Sequence, residues 1–132
     1  MFGIKNSESE KEAVLYRKKA GELILKVLNK TVNVRVALLN FPQDIKDSSV
    51  KAAWHALCHL GADEELRAKD RLYAEEQDLF LNSVAQTLLE GNSLAEEIIN
   101  AYKKYYTEPL TPHKRGIKGF FEEMKNFLVL KK

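Results

Sequence analysis

Apolar residues recur along most of this chain at intervals of three and four, the period of an α-helix with one face turned away from water. Ala13, Tyr16, Ala20, Leu23 and Val27 form one such line, and Val14, Gly21, Leu25, Leu28 and Val32 form a second on a different side of the same cylinder. Ser7 or Ser9 can cap this segment, with Glu10 or Glu12 three residues on in the capping-box position, so the pattern predicts a helix over 8–29. Its two lines together cover about half the cylinder, more than the roughly 100° stripe of an ordinary surface helix. Such a helix is either central in its own domain or half committed to an oligomer interface. Gly21, in the middle of the second line, would permit close backbone approach there. Val14, Gly21, Leu25 and Leu28 are therefore candidate interface residues.

The next segment, TVNVRVALLNF over 31–41, is ambiguous. Val32, Val34, Val36 and Leu38 alternate as in a strand, yet no second strand signal exists to pair with it. The reading kept is a short helix or a kinked continuation of the first, ended by Phe41-Pro42. Asp47 or Ser48 caps a helix over 48–60 with Gly61 as its left-handed terminator. Asp63 caps a long helix over 63–90 stopped by Gly91, and Ser93 caps another over 93–106. TEPLTP (107–112) is a stiff connector with prolines at 109 and 112, and an amphipathic helix over 113–130 follows. The expected architecture is an all-α, single-domain bundle of about five helices across 1–132. A DNA-binding helix-turn-helix is disfavoured, because the helix after Gly61 opens with Asp63, Glu64 and Glu65, which would repel phosphate. Tetratricopeptide spacing is not met either.

Composition narrows this picture. With 132 residues, 45% apolar and 30% charged, the chain can bury a core of its own. Its single cysteine, Cys58, cannot form a disulfide within the chain, which suits a reducing compartment. MFGIKNSESEKE contains no apolar leader core, and no window reaches the roughly 18 apolar residues of a membrane span. The expected location is cytoplasmic. The net charge of +2 is unevenly spread: residues 5–51 carry ten basic and six acidic side chains, 63–97 three and ten, and 113–132 six and two. Basic ends around an acidic middle fit complementarity within the chain better than a nucleic-acid footprint.

Three stretches carry candidate chemistry. In WHALCH, His55 and His59 stand one helical turn apart, away from the Val50, Ala53, Trp54, Leu57 core stripe, with Cys58 beside it. Such a trio could hold a metal ion; the alternative is two solvated histidines and a small buried hydrophobe. In the long helix, Asp70 and Gln77 share the apolar side with Tyr73, a candidate polar pocket or register-setting contact, since burying these groups unpaired costs about 1–3 kcal/mol or more. In the last segment, Ile117, Phe120, Phe121, Met124, Phe127 and Leu128 make a stripe about 120° wide. Gly116 and Gly119 weaken its intrinsic propensity by about 1 kcal/mol each, so packing must hold it. Phe120, Phe121, Met124 and Phe127 therefore join the candidate interface.

No phosphate loop, nucleophile elbow or carboxylate–histidine signature is present, and no cofactor is expected. No motif in the sequence points to a particular family. The leading expectation is a small non-enzymatic helical protein that acts by protein–protein association, above all self-association as a homodimer. The alternatives are metal or small-ligand binding through His55, Cys58 and His59, and peripheral membrane association through residues 113–132.

Overall fold

The computed structural model describes residues 2–42 and 46–103, with side chains from Glu10 onward. The expected helix over 113–130 and its Phe120, Phe121, Met124 and Phe127 lie outside the described residues. Within them six helices and no strand occur: α1 (Phe2–Leu28), α2 (Val34–Asn40), α3 (Ser48–Ala62), α4 (Glu64–Lys69), α5 (Arg71–Leu89) and α6 (Glu96–Lys103). The protein is an all-α helical bundle, as the apolar periodicity requires.

α3 is the central helix. Nine of its fifteen residues are buried, on two faces at once. Val50, Ala53 and Leu57 form the expected core stripe, and burying a leucine such as Leu57 is worth about 1.5–3 kcal/mol. A second line of small residues, Ser49, Ala52 and Ala56, lets α6 approach from the other side. The Ser49 hydroxyl accepts the Leu94 N–H at 2.8 Å, and His59 meets Tyr102 with ring centroids 6.0 Å apart. α6 thus runs parallel to α3. This tie also corrects the predicted start of the fourth helix. Leu94 is held by α3 and the helix opens at Glu96, after Ala95 rather than after a Ser93 cap.

α1 packs antiparallel on α5. Gly21 lies against Ala85 and Leu89, and Val14 lies against Gly91. The helix begins at Phe2, so Ser7 and Ser9 sit inside it and do not cap it. Ala20, Leu23 and Ile24 form its buried line, whereas Tyr16, expected in the core stripe, is 37% exposed. The predicted interface residues of α1 are largely used within the chain. Gly21 and Val14 face α5 and its terminal turn, and Leu25 and Leu28 pack on the core's edge.

Boundaries differ from expectation where side chains took other partners. Asp47 does cap α3, accepting the Val50 N–H at 3.1 Å. Gly61 is not a left-handed terminator; it lies inside α3 and packs on Val34. Gly91, with φ of +81°, does end α5 in the left-handed region. The 31–41 segment resolves as α2, because Asn33 caps it by accepting the Val36 N–H at 2.8 Å. Lys30, at φ +65°, turns the chain from α1 into α2. The expected single helix over 63–90 is two, broken at Asp70.

Arg17 fastens three distant parts of the chain. Its guanidinium donates to both oxygens of Asp47, at 2.7 and 3.2 Å, and to the Gly91 carbonyl at 3.0 Å. One charged side chain thereby joins α1, the capped start of α3 and the turn after α5.

Candidate helix-binding groove

The chain reversal at Lys30 folds α2 back along the outside of α3, antiparallel to it, with Val34 beside Gly61 and Phe41 edge-on to Trp54 at 5.8 Å. α2 is only seven residues long and buries a single side chain fully, Ala37. Its Val34 and Leu38 pack on the core, and a groove of about 1150 Å³ opens between the α1–α2 turn and the α3–α4 corner. The apolar lining includes Val27, Leu28, Val32, Val34, Leu38, Leu39, Trp54, Cys58 and Leu60. Leu39 is 73% exposed at its lip. Charged groups stand on both walls: Lys30 and Arg35 on the α1–α2 side, and Glu64, Arg67 and Asp78 on the α4–α5 side.

The α4 wall is set by a buried polar cluster. Asp63, with no exposed surface, does not use its side chain to cap α4. Its carboxylate instead accepts the Tyr73 hydroxyl at 2.7 Å and the Gln77 side-chain amide at 3.0 Å. Gln77 in turn accepts from Arg67 at 2.8 Å, and Arg67 also donates to the Ala74 carbonyl at 3.2 Å and to Asp78 at 2.8 Å. Gln77 thus links a buried carboxylate to a guanidinium, each stabilising its dipole from one side. Burial, the Asp63 bond and the Asp63 charge together hold the Tyr73 phenol well above its ordinary pKa, so it remains a donor. Arg67 and Asp78 lie at once in this cluster and in the groove wall. The cluster therefore fixes the angle between α4 and α5, and with it the groove's shape.

Tyr73 and Gln77, grouped by the sequence as a candidate polar pocket, are both buried and both bond to Asp63. Asp70, grouped with them, does something else: it is half-buried and accepts the Tyr73 backbone N–H at 3.0 Å, capping α5. The groups missed were Asp63 and Arg67. No local signal singles out Asp63 as the acceptor for Tyr73 and Gln77, since Asp70, Glu64 and Glu65 all lie nearer to α5 in the chain. The position of Asp63 just before a helix looked sufficiently explained by capping.

The His55, Cys58, His59 trio is separated by the fold. His59 is 2% exposed under α6, not on an open face. His55 is half-buried, and that burial lowers its pKa. Cys58 is buried in the groove wall, which pushes its thiol up to about 11. Among the described residues no group of three or more His, Cys, Asp or Glu side chains converges as a metal ion would need. No helix among them is long and apolar enough to cross a membrane. The peripheral-membrane expectation concerns residues 113–132, outside the described part. No family model, curated protein or solved structure matches this chain.

Proposed function

We propose that this protein is a non-enzymatic association module whose groove receives an apolar helical segment of a partner, and that the partner is a second copy of the chain. The observation that carries the reading is the open apolar groove, lined by Trp54 and Leu38 and by the exposed Leu39. An amphipathic helix laid in such a groove is a recurring recognition mode, with anchors one turn apart. Leu39 gives a clean test because its exposure makes Leu39→Lys harmless to the core. Sedimentation of the full chain across micromolar to submillimolar concentration is expected to show a monomer–dimer equilibrium, weakened at least about tenfold by Leu39→Lys. A chain that stays monomeric throughout overturns the self-association reading.

A second reading, a small apolar ligand in the same groove, is favoured by one observation: at about 1150 Å³ the groove slightly exceeds the roughly 300–1,000 Å³ range of ligand pockets and has room for one. Solvent extraction of the purified full chain followed by mass spectrometry decides it, and an extract with no stoichiometric compound rules it out.

A further inference from the structure

We propose that the segment seated in the groove is residues 117–128 of the second copy, the two chains exchanging these segments reciprocally. This rests on the association reading and names its partner surface.

Charge order is the first support. On a helical wheel at about 100° per residue, the stripe of Ile117, Phe120, Phe121, Met124, Phe127 and Leu128 is bordered on one edge by Lys114, Lys118 and Lys125 and on the other by Glu123. On the groove's α4 side Arg67 is balanced by Asp78 at 2.8 Å, which leaves Glu64 as the net charge there, and Lys30 and Arg35 stand on its α1–α2 wall, the complementary order. One orientation of the helix therefore pairs both edges, which fixes direction as well as face.

Area is the second. Three phenylalanines bury roughly 150–250 Å² each, so two reciprocal segments supply roughly 900–1,500 Å² from these rings alone. A specific interface needs about 1,000 Å² in total.

The exit point of the chain is the third. The last described turn holds Tyr102 against His59, at the end of α3 whose Cys58 and Gly61 line the groove. The chain's own groove is thus about one helix diameter, roughly 10 Å, from the exit. Prolines at 109 and 112 bias 107–112 toward an extended spacer of roughly 3.1 Å per residue, near 19 Å in all. A spacer of that reach is long enough to carry the segment past its own body to a neighbour's groove, as exchange between protomers requires.

The test places a photoreactive benzoylphenylalanine at position 124 of the full chain and mixes ¹⁵N-labelled with unlabelled protein before irradiation. Crosslinks that join labelled to unlabelled chains and land on α2, Trp54 or Cys58 are the expected result. Phe121→Glu with Phe127→Glu is expected to raise the dimer Kd at least about 30-fold while leaving the helical circular dichroism of the folded body in place. A dimer whose crosslinks fall outside the groove overturns this inference and leaves association standing. Crosslinks confined to one chain overturn exchange, and a monomer at every concentration overturns both.

Discussion

Replacing Gly21 by alanine tests how closely α1 and α5 must approach. A Cβ at this position would lie 2.8 Å from the Ala85 carbonyl oxygen, 3.2 Å from the Leu89 nitrogen and 3.1 Å from Leu89 Cγ. Two of those three atoms are α5 backbone, held by the helix's own hydrogen bonds, so they cannot rotate away. The helices must separate by a few tenths of an ångström, and overpacking of this kind costs about 1–3 kcal/mol. Against that stands the gain of about 1 kcal/mol for alanine over glycine in a helix interior. The expected net effect is a loss of about 1 kcal/mol. Gly61→Ala is the matched control. There the new Cβ meets only the Val34 side chain, Cγ1 at 3.1 Å and Cβ at 3.7 Å, on a half-exposed residue at the groove. Val34 can turn aside, so most of the propensity gain survives and stability rises by up to about 1 kcal/mol. Urea unfolding followed by circular dichroism reads the two variants as midpoint shifts of opposite sign at unchanged slope. In thermal scans each kilocalorie appears as about 3–5 °C. If Gly21→Ala raises the midpoint as Gly61→Ala does, the α1–α5 contact has slack and the steric account of Gly21 is wrong.

Three further outcomes are expected. Cys58, buried and with its pKa near 11, should react with iodoacetamide at pH 8 about 100-fold more slowly than a free thiol, and reach the free rate in denaturant; equal rates in both conditions would contradict its burial. His55 has a folded pKa below the unfolded value of 6.5, so the unfolded chain takes up the proton first. Its contribution is complete above pH 6.5 and is lost as pH falls below it, and His55→Gln should flatten the stability profile between about pH 7.5 and 5.5; an unchanged profile would remove His55 as its cause. Asp63→Ala strands the Tyr73 hydroxyl and the Gln77 amide at about 1–3 kcal/mol each. Combined with Tyr73→Phe, the losses should fall short of additivity by about 1 kcal/mol in a double-mutant cycle, and strict additivity would show that the pair is uncoupled.

Local signals in the sequence located most of the bundle. The Asp47 cap, the Gly91 stop and the apolar line of α5 each act within a turn or two of chain, and each is found where the pattern placed it. Errors arose where a residue's partner was remote. His59 looked exposed because the wheel was oriented by the Val50–Leu57 stripe alone, whereas α3 lies between neighbours and buries a second face. The run Ser49, Ala52, Ala56 was the available sign, since small residues at helical spacing mark a close-packed side. Asp63 and Asp70 each qualified as caps by sequence, and only tertiary contact divides their work: Asp63 binds Tyr73 and Gln77, and Asp70 starts α5. The groove was not legible at all, because it is a space left between the α1–α2 turn and the α3–α4 corner and no periodicity encodes a space.

The Arg17 clasp also bears on how the chain reaches this state during synthesis. Its bond to Gly91 spans 74 positions, and the α1–α5 packing around Gly21 spans nearly as many. At roughly 5–20 residues per second on the ribosome, α1 waits about 4–15 s before its partner is even polymerised. During that interval Ala20, Leu23 and Ile24 present an uncovered apolar line to the cell. The five Lys and Arg residues among positions 11–26 give α1 a charged surface over that same interval, the kind of placement that opposes aggregation of an exposed apolar line.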